Sequence, residues 1–290
     1  MNDAGWGGNL LSLSATEFKL WANRVESKTG VVLPDNRRVF LETRLRQRLR
    51  ETNQLEFEQY YELELCGLNG AQEWAALIDL LTVHQTHFFR HPPSMNLVSE
   101  HIRNHIKTKS KVGRPVEYHI WSVGCATGEE AFSLAMVADS ELNEADVKSY
   151  YSVTATDVSL PAISVARKGI YEQERLREIP ALYRRNYCEN KGNTFTLKNS
   201  TRRRVGFAIL NLVDLEKAPF QNLDLIYCQN VLIYFSREMR REIAGRLSQM
   251  LAPGGMLVFG AGELTNWIGD GLERVNLRRV LAYRRKEADA

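Results

Sequence analysis

The stretch WSVGCATGEEAF, residues 121–132, decides how the larger part of this chain reads. It lies between VEYHI, a run of strand character, and SLAMVADSEL, a run of helical character. A strand that turns through Gly124 and Gly128 into a helix is the opening unit of a sheet in which strands and helices alternate. The same junction carries two adjacent carboxylates, Glu129 and Glu130. A phosphate-binding loop calls for cations at this place, so the turn is suited to a ligand other than a phosphate.

The alternation continues outward from the junction. Strands are expected at EYHIWSV, YYSVTATD, VGFAILN, LDLIYC and MLVFGAG, with helices at GEEAFSLAMVADSEL, SLPAISVARKG and REMRREIAGRLSQML. This pattern implies an α/β, doubly wound, Rossmann-like domain over residues 115–290. It breaks at about 171–204, a polar, basic and turn-rich stretch that reads as a small β insert, with NTFTLKN as one strand of a hairpin. Residues 14–81 contain only helical patterns, so 1–85 is expected to be a small all-helical domain, joined by an interdomain segment over 86–114. Ser14 is placed to cap the first helix with Glu17 as its box partner, and Gly30 to end it. A second helix is expected from Pro34, with a stripe at Leu41, Leu45 and Leu49, and shorter helices at EQYYELEL and AQEWAALIDLLTV.

With 290 residues, 44% hydrophobic and 25% charged, the composition is that of an ordinary globular protein. A net charge of +3 is too small to indicate a nucleic-acid binder. Cys66, Cys125, Cys188 and Cys228 are too widely spaced for a metal knuckle or redox couple, and no metal is expected. No targeting segment or membrane-spanning run is evident, so the expectation is a cytoplasmic protein without membrane insertion.

In a doubly wound sheet the ligand lies at the carboxyl ends of the strands. The Gly124/Gly128 spacing does not match a dinucleotide fingerprint. The next strand ends at Asp157, where a carboxylate can accept both hydroxyls of a ribose or, more simply, cap the helix opening at Ser159. A ribose together with a cationic tail describes S-adenosylmethionine, with Glu129 attracting the cationic end and Asp157 holding the sugar.

At these residues the sequence resembles the CheR-type chemotaxis receptor methyltransferases. The resemblance runs through TVHQTHFFR (82–90), WSVGCATGEEAFSLA (121–135), ATDVSLPAISVARKGIY (155–171), ILNLVD (209–214), LDLIYCQNVLIYF (223–235) and LAPGGMLVFGAGE (251–263). It implies a protein-glutamate O-methyltransferase acting on the cytoplasmic helical domain of a methyl-accepting chemoreceptor, with S-adenosylhomocysteine as product. It further implies that His84, Thr86, Arg90, Gly124, Glu129, Asp157, Asn211, Leu212, Cys228 and Gln229 bind the cofactor. Arg90 is matched to the methionyl carboxylate, Asn211 and Leu212 to the adenine, and Cys228 and Gln229 to the floor beneath the ligand. Tyr234, and with it Arg90, is expected at the transferred methyl. Three departures accompany the match: His84 where the family usually has asparagine, Gln229 where it has arginine, and Ala131-Phe132 where it has a proline-aromatic pair. Swimming chemotaxis and type IV pilus motility both use such enzymes, and the departures at His84 and Gln229 suggest the pilus branch.

The second helix carries arginines at 37, 38, 44, 46, 48 and 50 against one acid, Glu42. Helical geometry puts Arg37, Arg44 and Arg48 on one face beside the leucine stripe, and the resemblance makes that face the one that meets an acidic receptor helix. The competing readings are a methyltransferase for RNA or a small molecule, and an inactive module that senses S-adenosylmethionine. The FFR and LIYF segments count against the first, and retention of Arg90, Asp157 and Tyr234 against the second.

Overall fold

The computed structural model describes residues 12–82, 85–111, 115–145 and 147–287. The chain divides into two compact units, Met1–Val83 and His84–Ala290.

In the first unit, helix α1 (Ala15–Thr29) opens with the expected reciprocal cap. Ser14 Oγ accepts from the Glu17 amide at 3.2 Å, and the Glu17 carboxylate accepts from the Ser14 amide at 2.8 Å. The helix ends at Gly30, whose left-handed φ of 76° lets its amide reach the Glu26 carbonyl. After Pro34 the chain makes a 3-10 turn, Asp35–Arg37, before α2 (Arg38–Thr52) begins, because the proline and the short polar residues after it favour a turn over a full helical start. Helix α3 (Phe57–Gln59) runs into a π-helical turn, Tyr60–Leu65, and α4 (Gly70–Leu81) completes the unit.

Leu41, Leu45 and Leu49 are buried, as the four-residue spacing requires of an inward stripe. Arg48 does not project from an open cationic face. Its guanidinium donates to both Glu73 oxygens at 2.7 Å and also pairs with Glu51, while the Tyr60 hydroxyl donates to the same Glu73 carboxylate at 2.5 Å. Burial alone would raise the Glu73 carboxyl, but the bonds from Arg48 and Tyr60 hold it below the usual carboxylate range. The expectation of a receptor-facing Arg48 is therefore corrected: α2 and α4 converge there, and an arginine between them finds an internal partner. Arg37 and Arg44 lie together instead, each with its guanidinium 5.3 Å from the Phe40 ring centre.

The second unit begins with α5 (Pro92–Lys111), within the stretch expected to link the domains. Met95, Val98, Ile102 and Ile106 make its buried face, and it packs on β1 (Val116–Val123) and α6 (Glu129–Glu144). There follow β2 (Ser149–Asp157), α7 (Leu160–Lys168) and the insert: β3 (Ile170–Glu172), a 3-10 turn (Gln173–Glu178), α8 (Ala181–Tyr187), β4 (Cys188–Asn190), β5 (Thr194–Leu197) and α9 (Asn199–Arg202). Then come β6 (Val205–Ile209), β7 (Leu223–Cys228), α10 (Arg237–Gln249), β8 (Leu251–Phe259), β9 (Leu272–Arg274) and β10 (Leu281–Arg285).

The described residues form a seven-stranded sheet of order β6-β2-β1-β7-β8-β10-β9. The first five are parallel neighbours, and β10 enters antiparallel to both β8 and β9. That C-terminal pair was not among the expected strands. Strand β5 lies at the centre of the insert's own antiparallel sheet, β3-β5-β4. The parallel register of β1 on β2 ends with Val123 opposite Thr156, which brings the glycine turn beside Asp157. Among the described residues no helix is long and apolar enough to cross a membrane.

Leu45 is fully enclosed, so Leu45→Ala should destabilise the helical unit by about 2–5 kcal/mol, the range for a cavity that closes incompletely. Urea denaturation of the full chain, followed by far-ultraviolet circular dichroism, measures it.

Candidate active site

At the carboxyl edge of the parallel strands, the turn after β1 is held in a conformation that few sequences allow. Gly124, Ala126 and Gly128 have φ of 70°, 46° and 95°. A Cβ on Gly124 would lie 2.3 Å from a Val231 methyl, and one on Gly128 2.9 Å from the Ala166 side chain. Ala126 takes the left-handed conformation despite its Cβ because its amide is drawn to the Asp157 carboxylate at 2.8 Å. The other Asp157 oxygen accepts from the Ser159 amide at 3.0 Å. The helix cap itself is Ser159, whose hydroxyl accepts from the Ala162 amide. Each Asp157 oxygen has a second lone pair, so the residue can bind two further donors while holding both loops. In the sheet Asp157 pairs with Ile209, and Ile209 and Leu160 are exposed apolar side chains near it along this edge and in sequence. Asn211 caps the 3-10 turn Leu212–Lys217 by accepting from the Val213 amide, and Leu212 is buried.

The two carboxylates of the opening stretch have different surroundings. Glu129 has no exposure. Its carboxylate receives the Thr127 hydroxyl at 2.6 Å and pairs with Arg175 of the insert. Glu129 is therefore not the open carboxylate expected for a cationic ligand. Helix α6 is buried on most of its circumference, and neighbouring residues on a helix point about 100° apart, so one of the pair is turned toward the insert. Glu130 keeps partial exposure, and the Ser122 hydroxyl donates to it at 2.7 Å. Burial pushes the Glu130 carboxyl up to about 8; the Ser122 bond and Arg90 oppose this, while Glu263 and Asp157 reinforce it.

Glu263 was not singled out in the sequence. It is buried, accepts from the Gly260 amide at 2.6 Å and the Ile233 amide at 3.4 Å, and so joins the end of β8 to the turn that carries Tyr234. Burial raises its carboxyl, partly offset by these backbone donors. Arg240 holds the same turn from α10, donating to the Phe235 and Ile233 carbonyls at 2.9 and 3.0 Å. Tyr234 is partly buried against the core formed by Leu232, Phe235 and their neighbours.

The floor is apolar and internally satisfied. Cys228 is completely buried, and burial raises its thiol far above the ordinary value, which makes it packing and not a nucleophile. Gln229 is directed into the core: its amide oxygen accepts from the Tyr227 hydroxyl at 3.0 Å and its nitrogen donates to the Phe259 carbonyl at 3.2 Å. Thr86 and Arg90 lie on a short strap before α5, where the exposed Arg90 donates to the Gln85 carbonyl at 2.8 Å. His84 lies outside the described residues. The acceptors Glu130, Glu263 and Asp157, with the Arg90 cation acting on Glu130, fit a ligand bearing positive charge, a carboxylate and vicinal hydroxyls.

The Glu130 carboxyl, at 4.5 in an unfolded chain and about 8 here, makes folding take up a proton, so stability is lost as pH rises between those values. Glu130→Gln removes that titration. The variant's melting temperature relative to wild type should therefore increase steadily from pH 5 to pH 8 in calorimetric scans of the free protein.

Residues 84–280 match the family model described as CheR methyltransferase, SAM binding domain, and residues 16–82 match CheR methyltransferase, all-alpha domain. A chemotaxis protein methyltransferase of Escherichia coli (strain K12) is 32% identical over 257 residues, covering 87% of this chain and 86% of that protein. Chemotaxis protein methyltransferase 1 of Pseudomonas aeruginosa is 28% identical over 280 residues, covering 95% and 100%. These names speak of chemotaxis and do not distinguish a pilus branch. Among solved structures, a TehB-like SAM-dependent methyltransferase from Corynebacterium glutamicum covers 68% of this chain and all of its own at 15% identity, with a TM-score of 0.36 that carries no argument alone. With both of its units matched in order, the chain belongs to the CheR methyltransferase family and is an S-adenosylmethionine-dependent methyltransferase of chemotaxis.

Proposed function

We propose that this enzyme methylates glutamate side chains on the cytoplasmic helical domain of a methyl-accepting chemoreceptor, giving methyl esters. The observation that carries the reading is the family match over both units, since the relatives share the helical unit as well as the catalytic one. The cofactor supplies an electrophilic methyl group carried on a sulfonium. Asp157 accepts the ribose hydroxyls with its free lone pairs, and Leu160, Ile209, Asn211 and Leu212 frame the adenine. Glu130, with Glu263 behind it, faces the positive end, in the place first assigned to Glu129. Arg90 and Thr86 hold the methionyl carboxylate from the strap. Gly124 allows close backbone approach, and Cys228 and Gln229 form the floor.

The acceptor carboxylate is already ionised at neutral pH, so no general base is needed. The protein's contribution is alignment of oxygen, methyl and sulfur, and exclusion of water. Tyr234 orients the acceptor oxygen, and its turn is rigid because Glu263 and Arg240 hold it from both sides. Arg37 and Arg44, close to one another across Phe40, provide the cationic surface for an acidic receptor helix. Such a receptor domain places the enzyme in the cytoplasm.

The direct test incubates the enzyme with methyl-labelled S-adenosylmethionine and membranes holding candidate receptors. Label should enter the receptor and be released by base as methanol; label that resists base would exclude a glutamate ester. Tyr234→Phe should lower kcat at least about tenfold while leaving the affinity for S-adenosylhomocysteine, measured by titration calorimetry, within about twofold. Full turnover by that variant would reduce Tyr234 to a packing residue. Reversing Arg37 and Arg44 to glutamate should raise KM for receptor about tenfold, equivalent to about 1.4 kcal/mol, and wild-type activity should fall with added salt. Cofactor affinity should be unaffected.

A further inference from the structure

The strap that bears Thr86 and Arg90 is anchored on the insert. Arg175, in the insert's 3-10 turn, pairs with buried Glu129 through one guanidinium nitrogen and donates to the Thr86 carbonyl at 2.5 Å through another. Its Nε lies 3.4 Å from Glu178 Oε1. The second Glu178 oxygen accepts from the Phe88 amide at 3.0 Å, and His87 Nδ1 lies 3.3 Å from the first. One turn of the insert thus engages the strap at two successive backbone points, the Thr86 carbonyl and the Phe88 amide. The adjacent amide, Phe89, donates to Ser133 Oγ of α6 at 3.0 Å, and Phe89 takes a left-handed φ of 51°. Aromatic contacts follow the same route: Phe88 packs edge-on against Tyr171 at 4.9 Å between ring centres, and Phe89 stacks on Tyr183 at 4.8 Å.

We propose that Arg175 and Glu178 are positioning residues for methyl transfer: together they clamp residues 86–88 so that Thr86 and Arg90 face the cofactor, and Glu129 serves the site through Arg175. A guanidinium is suited to this task because its rigid fork meets a carboxylate and a carbonyl at once. A lysine offers one compact charge that can stay with Glu129 but cannot span to Thr86 and Glu178. Burial pushes the Glu129 carboxyl up, and the Thr127 hydroxyl and Arg175 oppose that shift.

The proposal rests on the cofactor and not on the acceptor, so it is tested on the full chain with S-adenosylhomocysteine and no receptor. Arg175→Lys keeps a cation beside Glu129 and should melt close to wild type. Glu178→Ala, at a partly exposed site, removes the Phe88 partner and one Arg175 contact without leaving a charge buried. Both should bind S-adenosylhomocysteine at least about tenfold more weakly by titration calorimetry. Both should also show faster hydrogen exchange at the Phe88 amide, a local effect that general destabilisation would not confine to the strap. Affinity within about twofold of wild type in folded variants would overturn the proposal. Failure of the wild-type chain to bind S-adenosylhomocysteine would overturn the cofactor reading and the clamp with it, a result separable because it needs no variant.

Discussion

The Asp157 carboxylate joins the two loops on which this site is built. One oxygen takes the Ala126 amide and the other the Ser159 amide, so the turn after β1 and the start of α7 are held to a single side chain at the end of β2. The constraint works because β1 and β2 are parallel and stay in register as far as Val123 opposite Thr156, one residue before Asp157. A shift of one residue would turn Asp157 to the opposite face of the sheet and leave two buried amides without acceptors. The left-handed Ala126 gives its amide to that carboxylate, while Gly124 is left no room for a Cβ by Val231.

Around this point the acidic groups have separate tasks that their burial and partners assign. Glu129 is enclosed and paired within the protein, Glu263 ties backbone amides of the Tyr234 turn, and Glu130 keeps some exposure with a raised carboxyl. An acid kept partly protonated in the free protein is one whose ionised form becomes favourable when a cation arrives.

In the helical unit the same logic separates four of the six arginines that look alike in sequence. Arg48 lies between α2 and α4, where Glu73 and Tyr60 satisfy it; Arg46 pairs along the helix with Glu42; Arg37 and Arg44 remain beside Phe40. A net charge of +3 conceals this division. Only cations without an internal acid are available to a partner, and which ones those are depends on helix packing.

The sequence by itself determined the local features. The Ser14/Glu17 box, the Gly30 terminus, the Leu41-Leu45-Leu49 stripe, the alternation of parallel strands and helices, and the place of Asp157 at a strand end all follow from interactions within a few residues or from one period of hydrophobicity. Helix α5, which begins at the paired prolines Pro92 and Pro93, was not among the expected elements, although Met95, Val98, Ile102 and Ile106 give it a buried face at helical spacing. Tertiary structure decided what depends on the rotation of a helix about its axis and on contacts between distant segments. Which of Glu129 and Glu130 is enclosed against the insert is set by how α6 packs, since adjacent helical residues differ in direction and not in type. The link from Arg175 to Glu129, 46 residues apart, and from Glu178 to Phe88, 90 apart, has no periodic trace in the chain. The closing strands β9 and β10 are short, and their pairing energy exists only when β8 is already in place beside them.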